Sequence, residues 1–171
     1  MLQSLRQRHF ERVVRAYSAD LYRFAFWLCR DRFVAEELVQ ETCVRGWNAW
    51  DSLRDKDNPK PWLLTILRNE HARLYERKHF DYADEAPEDL EIAADHSPIE
   101  LWELEETIGN LPLTLREPFL LQVLGGFSCA EIAKMIETTE GAVMVRLTRA
   151  RQALRKLLEG APLTAREGRA S

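Results

Sequence analysis

Along most of this chain, apolar residues return every three or four positions, the spacing of one face of an α-helix. Tyr17, Leu21, Phe24 and Leu28 form one such stripe. Ala35, Leu38, Val39, Thr42, Gly46 and Ala49 form a second. Trp62, Ile66, Asn69 and Arg73 share a third, with Leu63, Leu67 and Leu74 beside them. Pro61 is placed to be the first residue of this helix, after a loop marked by Asn58, Pro59 and Lys60. Leu101, Leu104, Ile108 and Leu111 predict a helix that starts near Ile99 and breaks at Leu111-Pro112. Another follows from about Thr114 to Leu124 and stops at Gly125-Gly126. No stretch alternates cleanly enough for a strand, so the fold class is all-α.

The last two helices carry the strongest pattern. Ser128 can cap a short helix containing Ile132, Ala133 and Ile136, with Glu131 placed to complete a capping box. A brief polar turn, Glu137-Thr138-Thr139, leads into a longer helix whose rail is Val143, Leu147, Ala150, Leu154 and Leu158. Ala142, Val145, Arg149, Gln152 and Lys156 fall on the opposite face. Residues 141–158 hold five Arg or Lys and no acid. This is a helix-turn-helix with a basic second helix, a shape suited to the DNA major groove. Arg151 lies nearer the rail and either faces outward or pairs with Glu131 of the preceding helix.

Charge sharpens the division of the chain. The net charge of −4 is low, but its distribution is uneven. Residues 1–78 carry a net +4 and residues 116–171 a net +3, while residues 79–115 hold eleven acids and no Lys or Arg. The expected organisation is a helical domain over 1–78, an acidic linker over 79–97, a four-helix domain with the helix-turn-helix over 98–160 and a flexible tail over 161–171. No apolar run approaches the roughly 20 residues needed to cross a bilayer. Cys29, Cys43 and Cys129 sit inside apolar patterns and read as reduced core thiols, which fits the cytoplasm. His9, His71, His79 and His96 are scattered, with no pair at a helical metal-ligand spacing. Catalytic and phosphate-loop motifs are missing, so neither an enzyme, a cofactor nor a metal site is expected.

In this order the pieces resemble an extracytoplasmic-function (ECF) sigma factor, a bacterial transcription initiation factor. The resemblance rests on AEELVQETCVRGWNAW (35–50), PWLLTILRNEHARLYERK (61–78), LPLTLREPFLLQVLGGFSCAEIA (111–133) and RLTRARQALRKLL (146–158). It implies that the chain binds core RNA polymerase, recognises two elements of promoter DNA and opens the strands between them. It further implies control of a stress or envelope regulon by an anti-sigma factor, expected to be membrane-anchored, that clamps the two domains. An acidic linker would suit such control by repelling DNA.

The residues most suited to each task follow. The outward face of the second helix, with Glu37, Gln40, Glu41, Val44 and Asn48, offers a mixed surface for polymerase. Capture of melted bases calls for amides, stacking surfaces and cations. Ser52, Asn58, Lys60, Arg68, Asn69, Arg73 and Arg77 supply the polar part, with the loop 52–60 as the specificity loop. Trp62 is read as a core residue rather than a base platform. Asn69 shares its stripe. For the upstream element the candidates are Ser128, Ala142, Val145, Arg146, Thr148, Arg149 and Lys156. Here the chain departs from the usual family pattern, with Met144 and Val145 where a cation and a serine are common, and Thr148 where His or an aromatic is. An outward Val145 is suited to a thymine methyl group. The competing reading is a LuxR-type regulator that binds DNA without polymerase, since residues 113–133 resemble that output domain too. A pure protein-interaction bundle is disfavoured by the uncompensated cations.

Overall fold

The computed structural model describes residues 1–81 and 101–159. It contains α1 (Leu2–Cys29), α2 (Arg32–Ala49), a 3-10 turn (Trp50–Ser52), α3 (Lys60–Asp81), α4 (Leu101–Gly109), α5 (Leu113–Val123), α6 (Cys129–Met135) and α7 (Glu140–Glu159). Among the described residues there is no strand. The fold is thus all-α, with the last four helices forming the second half. The expected acidic linker lies outside the described residues, apart from its first three positions, which continue α3. The tail lies outside them entirely.

The first half is a three-helix unit. Arg30 ends α1 in the left-handed region (φ 57°), and its N–H donates to the Phe26 carbonyl at 2.7 Å. Asp31 then caps α2, its Oδ1 accepting from the N–H groups of Phe33 (2.9 Å) and Val34 (3.1 Å). Reversal within two residues lets α1 pack along α2, and α3 closes over both. Leu21, Phe24, Leu28, Ala35, Leu38, Leu63, Leu64 and Leu67 fill the core. Trp50 anchors one end at 1 % exposure, with Phe10 and Trp62 against its ring at 5.3 and 6.1 Å. Trp62 is therefore a packing residue, as its place in the pattern indicates.

The stripes of α1 and α2 face the core as expected, but α3 is rotated from its expected register. Leu63, Leu64, Leu67, Glu70 and His71 are buried, whereas Asn69 and Arg73 are exposed. The reason is that α3 has neighbours on several sides, touching α1, α2 and α6. Apolar residues on two faces leave the period with no single answer. Helix α3 also begins at Lys60, so Pro61 is its second residue. The thiols, expected in the core, are only half-buried, and among the described residues none forms a disulfide. Burial nonetheless pushes the Cys43 thiol up.

In the second half, α7 lays Val143, Leu147, Ala150 and Leu154 against α5 and α6. Leu158, expected on this rail, is 37 % exposed because α7 outruns its partners in the final turn. The α5–α6 turn requires glycine twice. Gly126 has φ +70°, and a Cβ on Gly125 would meet the Phe127 ring at 2.5 Å.

The two halves dock through α1 with α4 and α5, and through α3 with α6. Three side chains mark the seam. Arg116 of α5 donates from Nη1 to the Leu28 carbonyl of α1 at 2.6 Å. Arg68 of α3 pairs with Glu117 of α5. The Arg30 side chain lies across Gly109, where a Cβ would collide with it.

Candidate DNA- and polymerase-contacting surfaces

Helix α7, which carries most of the upstream-element candidates, is held at its start by two local devices. Glu137 adopts φ 55°, and the Thr138 N–H returns to the Ala133 carbonyl at 2.9 Å, which sets the tight turn. Thr139 Oγ1 then accepts from the Ala142 N–H at 3.1 Å and caps α7. Ahead of the turn, the Ser128–Glu131 capping box is complete: the Glu131 N–H donates to Ser128 Oγ at 3.2 Å and the Ser128 N–H donates to Glu131 Oε2 at 2.8 Å. Ser128 is exposed but its hydroxyl is committed to this cap.

With the rail buried, Val145, Thr148, Arg149 and Lys156 are exposed, and Ala142 and Arg146 are half-buried on the flank. Among the described residues, Arg149 and Lys156 have no ion-pair partner. Arg151 donates to Gln122 of α5, so its suggested pairing with Glu131 is not made; that carboxylate is already spent on the cap. Thr148 Oγ1 donates to the Met144 carbonyl at 2.9 Å.

On α2, the five expected positions Glu37, Gln40, Glu41, Val44 and Asn48 are all exposed and share one face. Arg45 Nε donates to Glu41 Oε1 at 2.9 Å and pairs with Glu70 at 2.6 Å. Glu70 also receives Arg73 at 2.9 Å. The acid is 10 % exposed at its side chain and ties α2 to α3. Sequence pattern missed it, because a lone Glu between Asn69 and His71 carries no sign of burial.

The downstream candidates divide into two groups. Ser52, Asn58, Asn69 and Arg77 are exposed. Ser52 Oγ donates to the Ala49 carbonyl at 2.6 Å. The loop after it is shaped by Asp55, whose Oδ1 accepts from the N–H groups of Asp57 (3.1 Å) and Asn58 (3.3 Å). Three cations, by contrast, are held by acids: Lys60 by Asp20 at 3.8 Å, Arg73 by Glu70, and Arg68 by Glu117. Arg68 also donates to Asn69 Oδ1 at 3.1 Å.

Glu117 is the second acid that pattern reading missed. It is 7 % exposed, and burial pushes its carboxyl up against the opposing pull of Arg68 and Arg146. It borders a cavity of about 340 Å³ between the halves, which Arg68, Tyr75, Thr114 and Arg146 also line. One carboxylate thus faces a cation from each of the two DNA-contacting candidate sets. Among the described residues, no three His, Cys, Asp or Glu side chains are grouped to hold a metal ion, and no helix is long and apolar enough to cross a membrane.

Known proteins with similar sequences and folds bear on these surfaces. Residues 13–80 match the family model for sigma-70 region 2, and residues 101–154 match that for sigma-70 region 4. The ECF RNA polymerase sigma factor SigM of Bacillus subtilis is 30% identical over 154 residues, 86% of this chain and 93% of that protein. The ECF sigma factor EcfG of Rhodopseudomonas palustris is 31% identical over 144 residues, covering 81% of this chain and 79% of that one. Among solved structures, the sigma factor RpoE in complex with the anti-sigma factor NepR from Bartonella quintana superposes with a TM-score of 0.74 at 29% identity, over 88% of this chain and 96% of that one. CnrH in complex with the cytosolic domain of CnrY gives 0.68 at 26% identity, over 91% of each. The region 2 match in the front half disfavours the LuxR-type alternative, which accounts for the rear half alone. The chain belongs to the sigma-70 family of transcription initiation factors, in its ECF class.

Proposed function

We propose that this ECF sigma factor grips its promoter at two points, each built from the surfaces described above. Helix α7 reads the upstream element, with Arg146 and Arg149 toward base edges and Lys156 on phosphate. Residues 52–60 select the downstream element, and Arg68, Asn69, Arg73 and Arg77 hold the displaced strand. The α2 face of Glu37, Gln40, Glu41, Val44 and Asn48 docks on core polymerase. The protein acts in the cytoplasm and supplies position and strand capture; nucleotide chemistry belongs to the polymerase.

The observation that carries the upstream assignment is the division of α7 into a buried rail and an outer face whose Arg149 and Lys156 are not neutralised within the described residues. A solvated structural helix has no need of one-signed charge on its free face, whereas a groove-binding helix does. For the downstream assignment, Arg68 reaches DNA only after leaving Glu117, so the seam between the halves has to open at that point. A structural relative solved in complex with an anti-sigma factor supports control by such a partner. We infer one of the membrane-anchored kind.

Run-off transcription with core polymerase tests the whole reading. Transcripts should start at a defined distance from promoters selected by the holoenzyme, and exchange of residues 52–60 for those of a relative should change downstream preference. Failure of the chain to support any promoter-specific transcript would refute the reading; unaltered preference after the exchange would refute only the loop assignment.

A further inference from the structure

The outer face of α7 combines two kinds of surface. Met144 and Val145 are 56 % and 50 % exposed. Folding does not account for them, because the rail already covers the core side of the helix. One turn on, Thr148 donates its hydroxyl proton to the Met144 carbonyl, so that proton is unavailable to a partner and the methyl remains as the other contact group. Together with Arg149 and Gln152, these residues line a shallow, open depression of about 310 Å³. Among the described residues, no hydrogen-bond partner is found for the side chains of Arg149 and Gln152, whose backbones belong to α7.

An exposed apolar pair on its own is ordinary. What selects the occupant is position and charge. The apolar groups lie in the first half of α7 (Glu140–Glu159), the part of a recognition helix that reaches base edges. Cations accompany them, with Arg146 between Val145 and Thr148, Arg149 next to Thr148, and Arg155 and Lys156 beyond. A polyanion fits that surround, and the only apolar group that a DNA polyanion presents in its major groove is the 5-methyl of thymine.

We propose that Met144, Val145 and the Thr148 methyl form a seat for a thymine 5-methyl group in the upstream element, with Arg149 at its rim reading a neighbouring guanine. The proposal rests on α7 being the reader helix. It makes this chain a thymine-selective reader at one position, with selection by shape and desolvation rather than by a hydrogen bond. Val145 is the central contact and Met144 the adaptable one, since an unbranched thioether can follow the groove floor.

The test removes a single methyl from the DNA. Upstream elements are first selected from a random library with the reconstituted holoenzyme. Each thymine is then replaced by deoxyuridine, one at a time, and affinity is measured with wild type and with Val145→Ala. At one thymine, the loss of the methyl should weaken wild-type binding about fourfold, the yield of burying one CH₂-sized group. The same replacement should have little effect on Val145→Ala, since the methyl then has no seat. Absence of any methyl-sensitive thymine overturns the proposal, as does a loss that persists undiminished in both Val145→Ala and Met144→Ala. So does a Val145→Ala effect confined to affinity for polymerase, which would mark the depression as a protein contact. Arg149→Ala and Lys156→Ala separate this from failure of the reader assignment: if they also leave upstream binding unchanged, α7 is not the reader at all.

Discussion

Arg116→Ala is expected to destabilise the protein more than any surface arginine should, because Arg116 joins two carbonyls in different halves. Its Nη1 donates to the Leu28 carbonyl at 2.6 Å, and its Nε and Nη2 both donate to the Leu111 carbonyl, at 3.3 and 3.1 Å. Leu28 lies in the last turn of α1, where carbonyls lack helical donors and a cation is favoured by the helix dipole. Leu111 is 2 % exposed in the α4–α5 turn. Burial pushes the Arg116 pKa down, so the guanidinium is held at a desolvation cost that the two carbonyls offset. An arginine side chain is protonated throughout the neutral range, so the guanidinium stays charged there.

The magnitude follows from the acceptors. Hydrogen bonds to a charged group contribute about 1.5–3 kcal/mol each, and there are two acceptors here. Relief of the guanidinium's own desolvation and hydration of the helix-end carbonyl return part of this. A net loss of about 2–4 kcal/mol is expected, a large share of a typical 5–15 kcal/mol total. Arg116→Lys keeps the charge but presents a point donor instead of a fork, so it should recover about half of the loss. Urea unfolding followed by helical circular dichroism measures both. Solution scattering of the folded variants adds a second readout, since loss of a contact shared between halves should raise the radius of gyration. If Arg116→Ala falls within about 0.5 kcal/mol of wild type, the bridge is not contributing as argued.

Four further outcomes are expected. Trp50→Ala should lower stability by about 3–5 kcal/mol, the range for emptying a buried aromatic site, read by urea unfolding; a loss below about 1 kcal/mol would contradict its anchoring role. Glu117→Gln should become relatively more stable as pH rises from 4.5 toward 7. The folded carboxyl is raised above its ordinary 4.5, so its favourable contribution is full below that value and is lost as pH climbs through the folded pKa. A pH-independent difference between the two proteins in urea titrations would reverse this sign. Glu41→Arg should weaken holoenzyme formation in a pull-down titration, and unchanged affinity would remove α2 from the polymerase contact. Lys156→Ala should weaken holoenzyme binding evenly across upstream sequences and lower the salt slope by about one, whereas Arg149→Ala should relax selectivity; equal, sequence-blind losses would exclude base reading by Arg149.

The helices and their inward faces were legible where each helix has one partner side. Helix α7 shows this best: one rail, one opposite face and one boundary error at Leu158. Helix α3 shows the limit. With α1, α2 and α6 around it, its apolar residues no longer mark a single direction, and of the expected stripe Trp62 and Ile66 are half-buried while Asn69 and Arg73 are exposed. Buried acids were illegible for a different reason. Glu117 is tolerated because Arg68 reaches it from 49 positions away, and Glu70 because Arg45, 25 positions away, joins the neighbouring Arg73 on it. Periodicity samples neighbours within a few residues, so it reports neither the acid's burial nor its partner.

That blind spot falls on the functional surfaces, and it changes how their charge should be counted. Sequence alone presents Lys60, Arg68 and Arg73 as free cations, equal to those of α7. In the folded protein each already faces a carboxylate, from Asp20, Glu117 and Glu70. A DNA phosphate that takes one of them must displace that carboxylate, exchanging one anion for another with little Coulombic gain. Arg149 and Lys156 face no such competitor among the described residues, so a phosphate or guanine reaching them gains the whole interaction. On the proposed assignment, the asymmetry makes the upstream surface the one ready to engage DNA directly. Of the downstream candidates Arg77 is already exposed, whereas Lys60 and Arg73 become available as their ion pairs open, and Arg68 as the two halves part at Glu117. On the proposed assignment, opening of the protein and capture of the downstream strand are coupled through one side chain, Arg68.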